Sequence, residues 1–333
     1  MPLPSTYTLP AAADMHVHLR NAPGPIASLV TPTIRRGGVD TVFVMPNLAP
    51  RPVVSLAEAQ AYREALQKLD PEVNYLMSLY LHESVTPEVI RGAKEGGIWG
   101  VKAYPRGATT NSQWGVVSFD PFHEVLKAME EEGIVLNLHG EVPSSAADGV
   151  TVMNAEMRFL PVLKELSGKY PELKIVLEHC TSADAVEAVR ALGDNVVGTI
   201  TAHHLSLLVD DCTTTANLRQ VPEDRRALLN AVVTSNGKFF LGTDSARVFT
   251  QPYALGYVLS ALEEGIARGD IQESAVTEDV LKGSSPSTAA VSTVCPRDAP
   301  DPAHAGSAKV EDSLNGDDGV VIVPFRAGEE IWG

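Results

Sequence analysis

The chain has 333 residues, enough for one large domain of roughly 250 residues with an appendage, although two domains are an alternative at this length. Its 26 Lys and Arg oppose 42 Asp and Glu, and the formal net charge of −16 argues against a nucleic-acid partner. The three cysteines, Cys180, Cys212 and Cys295, lack paired spacing, which indicates a reducing compartment and no Cys-x-x-Cys zinc site. Without a signal-like N-terminus or an apolar run of about 18 residues, we expect a soluble, cytoplasmic protein that does not contact a membrane.

Short apolar segments rich in β-branched residues alternate with segments of helical spacing. The predicted strands are 14–19, 41–45, 74–81, 100–104, 134–139, 174–179, 196–202 and 239–243. The predicted helices are 55–69, 87–95, 121–132, 155–169, 182–192 and 222–234. A Ser-x-x-Glu capping box at Ser55 and Glu58 predicts the start of the first helix, and Gly133 predicts the end of the third.

Eight strands alternating with helices favour a (β/α)₈ TIM barrel of the α/β class, with an open doubly wound sheet as the alternative. In a closed barrel the carboxyl ends of all strands meet at one mouth, whereas an open sheet would scatter them. Polar residues stand at or just after most of the predicted strand ends, and they are His18, Asn47, Lys102, His139, His179, His204 and Asp244. Their placement favours the barrel.

The barrel pattern extends over residues 1–275. Residues 276–319 are rich in Ser, Pro, Ala, Asp and Gly, and we expect a low-complexity, disordered segment because large apolar groups are too few to offset the entropy of ordering. Residues 320–333 regain strand character and are expected to dock back on the barrel.

His16 and His18 stand two residues apart, so on a strand their imidazoles point to the same side and suit one metal ion. Two ordinary histidines are the alternative. Asp244 follows the eighth strand, where a carboxylate either contacts a metal and accepts a proton or caps the next helix. Lys102 lies between apolar residues, where an unpaired ammonium is costly, so it either reaches the rim or is chemically altered.

Seven motifs together resemble dihydroorotase of the shorter, monofunctional kind, a zinc enzyme of the amidohydrolase superfamily. The resemblance covers residues from about 12 to 268. The motifs are His16-Val-His18-Leu-Arg20, Val44-Met-Pro-Asn47-Leu-Ala-Pro, Val101-Lys102-Ala-Tyr-Pro, Ala108-Thr109-Thr110-Asn111-Ser, Leu138-His139-Gly-Glu141-Val, Leu177-Glu-His179 and Leu241-Gly-Thr-Asp244-Ser-Ala.

The resemblance implies interconversion of (S)-dihydroorotate and N-carbamoyl-L-aspartate in de novo pyrimidine biosynthesis. It implies two Zn²⁺ ions per chain, one held by His16 and His18 and the other by His139 and His179. Carbamylated Lys102 would bridge the ions, while Asp244 would bind the first ion and act as general base. A homodimer is also implied.

The resemblance further implies that Arg20 and Asn47 hold the substrate carboxylate and that Thr109 and Thr110 belong to a loop that closes over the substrate. A rim salt bridge and plain turns are the alternatives. The chain departs from the family after Ala246, where Arg247 stands instead of Pro-His and the substrate-binding His is missing. It also departs between Leu208 and Pro222 and after residue 270. Such discrete losses indicate an altered gene model as readily as functional divergence.

Two other functions remain open at this point. One is another cyclic amidase, hydantoinase-like in its substrate, because metal and base are shared across the superfamily while loops set specificity. The other is a catalytically impaired homologue retained as a scaffold.

Overall fold

The computed structural model describes residues 6–211, 220–235, 237–245, 254–277, 280–281 and 292–296. An eight-stranded parallel sheet, in the order β2 to β9, forms its centre, and β1 pairs antiparallel with β10 in a separate two-stranded sheet. The strands are β1 (Thr6–Pro10), β2 (Ala12–Val17), β3 (Val39–Val44), β4 (Asn74–Tyr80), β5 (Ile98–Ala103), β6 (Val135–His139), β7 (Ile175–Glu178), β8 (Val196–Ile200), β9 (Phe239–Leu241) and β10 (Ser292–Pro296). Each of the eight predicted strands is confirmed within a few residues.

The described α-helices include all six that the sequence predicts. They are α1 (Pro25–Val30), α2 (Thr33–Arg36), α3 (Leu56–Gln67), α4 (Pro87–Arg91), α5 (His123–Glu132), α6 (Ala155–Lys169), α7 (Ala183–Ala191), α8 (Pro222–Val233) and α9 (Ala254–Arg268). The predicted helix start is confirmed, because the Ser55 side chain accepts a hydrogen bond from the Glu58 amide, but the Glu58 carboxylate accepts from the Val54 amide and not from the Ser55 amide that a capping box requires. Gly133 ends α5 in the left-handed conformation, with φ 64°.

The seam between β2 and β9, the two ends of the sheet order, closes the barrel. The Asp14 carboxylate accepts hydrogen bonds from the Thr243 amide at 2.9 Å and the Thr243 hydroxyl at 2.6 Å. The Asp244 amide donates to the His16 carbonyl at 2.9 Å. The predicted barrel is therefore correct and the open sheet is wrong.

The apolar core lies inside the barrel and between its strands and the surrounding helices. The side chains of β7 are buried along the whole strand, as expected for a parallel sheet covered on both faces. Among the described residues, no helix combines the length and the apolar character that crossing a membrane requires.

The predicted low-complexity segment, residues 276–319, contains β10, and the sequence did not predict this strand or its pairing with β1. Disorder in the rest of that segment remains a prediction. The strand-like segment 320–333 lies outside the described residues.

Candidate active site

His16, His18 and Asp244 meet where the seam of the barrel reaches its mouth. His16 lies on β2, His18 follows that strand and Asp244 follows β9. The Asp244 Oδ1 atom lies 3.1 Å from His18 Nε2 and 3.5 Å from His16 Nε2, and the two imidazole centroids are 5.3 Å apart. The prediction that both rings point to the same side of the strand is confirmed.

Asp244 is held in an ionised state by its neighbours. Burial raises the pKa of its carboxyl, but the hydrogen bond from His18 and the charge of His16 outweigh burial and bring the pKa well below its usual range. Asp244 also has a positive φ of 47°, a conformation that costs a non-glycine residue free energy and that recurs at functional sites. The carboxylate is thus fixed beside the two imidazoles.

His139 and His179 form a second pair of histidines beside the first. His139 ends β6 and His179 follows β7, and their ring centroids are 4.7 Å apart. The His179 ring lies 5.3 Å from that of His16. Burial lowers the pKa of His18 and lowers that of His179 well below its usual range. Burial therefore favours the neutral form of both rings, which is the form that binds a metal.

Glu178 lies behind this group of histidines, fully buried at the end of β7. Its carboxylate accepts hydrogen bonds from His16 Nδ1 at 2.8 Å, Asn137 Nδ2 at 2.7 Å and the Thr199 hydroxyl at 2.7 Å. Burial raises the pKa of Glu178, but the charges of His16 and Lys102 and these hydrogen bonds prevail and bring it to about 2. Glu178 is therefore an ionised acceptor.

Lys102 is fully buried on β5, and among the described residues its Nζ atom has no hydrogen-bond partner. Nζ lies 5.2 Å from the centroid of the Tyr104 ring, which is itself 6.0 Å from the ring of His139. Burial lowers the pKa of Lys102 to about 8, although the charges of Glu178 and Asp244 act in the opposite direction. A buried amine without a partner is costly, which indicates that it serves a bound group.

The residues at the mouth fit a metal ion. Ligand atoms of His16, His179 and Asp244 all lie within 4.8 Å of one another. Imidazole nitrogens with carboxylate oxygens are donors that suit zinc.

No family model matches the chain. A curated dihydroorotase from Saccharomyces cerevisiae is 37% identical over 360 residues, which covers 96% of this chain and 94% of the relative. The crystal structure of dihydroorotase from Saccharomyces cerevisiae in complex with 5-fluoroorotic acid aligns with a TM-score of 0.74 and 38% identity, and covers 84% of this chain and 85% of that one. The chain belongs to the dihydroorotase family.

The barrel is shared beyond the dihydroorotases. L-Hydantoinase (dihydropyrimidinase) from Arthrobacter aurescens aligns with a TM-score of 0.63 at 17% identity, and covers 81% of this chain and 69% of that one. At this identity the likeness concerns the fold alone. The hydantoinase-like alternative is therefore not favoured over dihydroorotase.

The residues predicted to bind substrate lie on loops around the mouth. Arg20 follows His18 by two residues with a φ of 67°, and its carbonyl accepts a hydrogen bond from the Tyr62 hydroxyl at 2.6 Å. Asn47 contacts the predicted substrate loop, since its Nδ2 lies 3.4 Å from the Thr110 carbonyl and its own carbonyl accepts from Asn111 at 3.0 Å. The substrate contacts of Arg20, Asn47, Thr109 and Thr110 remain predictions.

Several residues of the site were not assigned a role from the sequence. Glu178 had a visible signal, a carboxylate at the end of an apolar run, but its partner on β2 could not be inferred. His203, to which the sequence gave no role, feels the charge of the site: burial lowers the pKa of His203, while the charge of Asp244 raises it. His204 is buried, with its ring centroid 4.5 Å from that of His203.

The departures around Arg247 fall outside the described residues, as does most of the altered loop before Pro222. The missing substrate-binding His therefore stays a prediction from the sequence.

Proposed function

We propose that this protein is a zinc-dependent dihydroorotase that interconverts (S)-dihydroorotate and N-carbamoyl-L-aspartate in de novo pyrimidine biosynthesis. The observation that carries the proposal is the buried amine of Lys102, which has no hydrogen-bond partner among the described residues, at a mouth lined by four histidines and Asp244 in a chain of the dihydroorotase family. A scaffold protein gains nothing from such an unpaired amine, because burial of the amine costs stability.

Two Zn²⁺ ions per chain fit this set of residues. His16, His18 and Asp244 would hold one ion, and His139 and His179 would hold the other. The neutral amine of Lys102 would add to CO₂, form an N–C bond and release one proton, and the resulting carbamate would bridge the ions. The lowered pKa of Lys102, about 8, supports this step because it increases the fraction of neutral amine near pH 7.

When zinc is bound, it supplies Lewis acidity toward the ring carbonyl and lowers the pKa of the attacking water. Asp244 is the proton carrier: it takes a proton from the water that adds to the ring amide carbon and gives it to the ring nitrogen as the C–N bond breaks. Its ionised state and its contact with His18 at 3.1 Å support this role. In the reverse direction the same carboxylate removes the proton from the carbamoyl nitrogen as the ring closes.

Arg20 and Asn47 would bind the substrate carboxylate, because a guanidinium fork matches a carboxylate in shape and charge. Thr109 and Thr110 would close over the ring, and the contact of Asn47 with the Thr110 carbonyl supports a shared role for the two segments. The crystallised Saccharomyces cerevisiae relative in complex with 5-fluoroorotic acid supports an acidic pyrimidine as the ligand.

The decisive experiment is to assay purified protein for dihydroorotate hydrolysis with zinc quantified in the same sample. We expect turnover with about two zinc ions per chain. A 5-substituted hydantoin serves as the competing substrate, and faster turnover of hydantoin would reject dihydroorotate as the substrate. Bound zinc without turnover of either compound would reject the enzyme, and a protein without zinc or turnover would support the scaffold.

We further propose a cytosolic homodimer that acts on a free small molecule. Cys180 is a free, buried thiol, which supports a reducing compartment. Light scattering of the purified protein tests the dimer, and a monomeric mass at micromolar concentration would reject it.

A further inference from the structure

Two carboxylates contact histidines of the candidate metal site through opposite ring nitrogens. Glu178 Oε2 lies 2.8 Å from Nδ1 of His16, and Glu141 Oε2 lies 3.1 Å from Nε2 of His139. A neutral imidazole has one N–H donor and one acceptor nitrogen, whereas an ionised carboxylate only accepts. When the ring is neutral, each contact therefore specifies which nitrogen carries the proton.

The His16 contact is enclosed on every side. Its other nitrogen, Nε2, points into the site and lies 3.5 Å from Asp244 Oδ1. Asn137 and Thr199 donate to the same Glu178 carboxylate and keep it in place. Because the ring and its partner are both buried, rotation of the His16 ring would remove one of the three donors to the Glu178 carboxylate, at a cost of about 1–3 kcal/mol.

The His139 contact has the opposite arrangement. Glu141 follows His139 by two residues, its side chain is 12% exposed, and its backbone amide also bonds to the His139 carbonyl. Since Nε2 faces this carboxylate, the lone pair of the neutral ring lies on Nδ1. The ring packs at 4.7 Å from that of His179.

We propose that Glu178 and Glu141 are positioning residues that hold opposite tautomers, Nδ1–H in His16 and Nε2–H in His139. His16 then offers Nε2 to one ion and His139 offers Nδ1 to the other. The inference rests on the metal site of the proposed function and assigns the two carboxylates a role that acts through the histidines. Carboxylates that orient metal-binding imidazoles typically change metal affinity by 10-fold to 100-fold when removed.

The direct test is the tautomeric state of each ring in the metal-free protein. Long-range ¹H–¹⁵N correlation spectra of ¹⁵N-histidine protein at pH 8, well above the ordinary histidine pKa of about 6.5, report which nitrogen carries the proton. The signals are assigned with His16→Gln and His139→Gln. We expect Nδ1–H for His16 and Nε2–H for His139, and the same tautomer at both rings would overturn the inference.

Substitution separates positioning from general stability. Glu178→Gln and Glu141→Gln should each weaken zinc affinity by about 10-fold to 100-fold in chelator competition, and the corresponding Ala variants more. Each change should alter the tautomer only of its own histidine, so each variant is the control for the other. Asp270→Asn removes a buried carboxylate that contacts arginines and should lower stability without changing either tautomer or the zinc affinity.

Unchanged zinc affinity and tautomers in both Gln variants would refute the positioning role. Failure of the proposed function gives a different result: absence of dihydroorotate hydrolysis with both tautomers as expected would reject the substrate and leave the positioning role intact, because the spectra require neither zinc nor turnover.

Discussion

At the scale of single residues, the candidate site places an ionised carboxylate and a buried amine among four histidines. Asp244 is ionised beside two histidines, and Lys102 is buried without a hydrogen-bond partner among the described residues. The positions of both residues at or near strand ends made them candidates, and the resemblance to the dihydroorotase motifs predicted their functional roles. Their protonation states could not be predicted, since each depends on burial and on charges contributed by other strands.

Replacing Asp244 by Asn should lower dihydroorotate turnover by about 10²-fold to 10⁴-fold, because an amide cannot carry the proton. Most of the zinc should remain bound, since the four histidines are intact. Steady-state rates and zinc content of the same preparation check this prediction. Full activity in the variant would refute the role of Asp244 as general base.

Replacing Lys102 by Met should abolish activity yet stabilise the metal-free protein by about 1–3 kcal/mol, because the substitution removes a buried amine that has no hydrogen-bond partner among the described residues. Lys238→Met is the matched control. The Lys238 ammonium donates to the carbonyls of Leu192 at 3.1 Å, Gly193 at 2.6 Å and Val196 at 2.9 Å, so its loss should destabilise the protein by about 1.5–3 kcal/mol. Urea unfolding of both variants measures whether each substitution raises or lowers the free energy of unfolding. A lower free energy of unfolding for Lys102→Met would contradict the assignment of Lys102 as a destabilising buried amine.

At the scale of elements, the seam between β2 and β9 positions the first half of the site. Asp14 on β2 bonds to Thr243 just after β9, and this contact holds His16 opposite Asp244. The sequence predicted both strands and their alternation with helices. It did not predict α1, α2 or α9, and the polar contacts that close the seam join residues more than 200 positions apart.

Gly242 lies at this seam, where His16 and Thr199 leave no room for a side chain. A Cβ atom at Gly242 would stand 2.8 Å from the His16 Cβ and 3.1 Å from the Thr199 Cβ. Gly242→Ala should therefore cost about 1–3 kcal/mol and displace His16. Thermal unfolding and zinc affinity measure the two effects.

The control for Gly242 is Gly168→Ala in α6, where a Cβ meets nothing within 4 Å. It should be neutral or stabilise the protein by about 0.5–1 kcal/mol, because Ala favours a helix over Gly. Equal effects of the two substitutions would contradict the steric argument.

A second element-scale contact joins α8 to the turn after α9. Asp270 accepts hydrogen bonds from Arg226 at 3.3 Å and Arg268 at 3.0 Å, and Arg225 lies at 3.5 Å. Burial raises the pKa of Asp270, but the hydrogen bond from Arg268 and the charge of Arg225 prevail, so its pKa is lowered on folding. The Asp270 carboxylate therefore contributes its full stabilisation above the pKa of the unfolded state, about 3.9. This contribution is lost as the pH falls through the lower pKa of the folded state.

Asp270→Asn should cost about 1–2 kcal/mol at pH 7, toward the low end for charged hydrogen bonds because Arg226 and Arg268 are partly exposed to solvent. The difference from the unsubstituted protein should shrink as pH is lowered from 5 toward 3. Urea unfolding across this range checks the sign, and a difference that grows in acid would refute it.

At the scale of the whole molecule, the apolar core and the candidate metal site occupy different parts of the barrel. The apolar core fills the barrel and the layer beneath the helices, whereas the candidate ligands all lie at the mouth. The sequence predicted this separation, because apolar runs form the strands and polar residues stand at their ends. The eightfold repeat also predicted closure, since it is the number of units that completes a barrel.

Removing zinc with a chelator should abolish activity while the far-UV circular dichroism stays unchanged. Adding zinc back should restore activity and raise stability, by about 2.7 kcal/mol when free zinc is 100 times its Kd. Magnesium should not substitute, because it prefers oxygen ligands. Loss of secondary structure on chelation would show that the metal is structural.

The sequence by itself determined the barrel, the strands that compose it and the residue types at its mouth. These features follow from local periodicity and from the order of polar residues along the chain. Only the tertiary structure decided which atoms face one another: that Glu178 on β7 holds Nδ1 of His16 on β2, that Glu141 faces Nε2 of His139, and that Lys102 has no partner among the described residues. The physical reason is that the protonation and orientation of a buried polar group depend on neighbours from distant strands, and no local pattern records those neighbours.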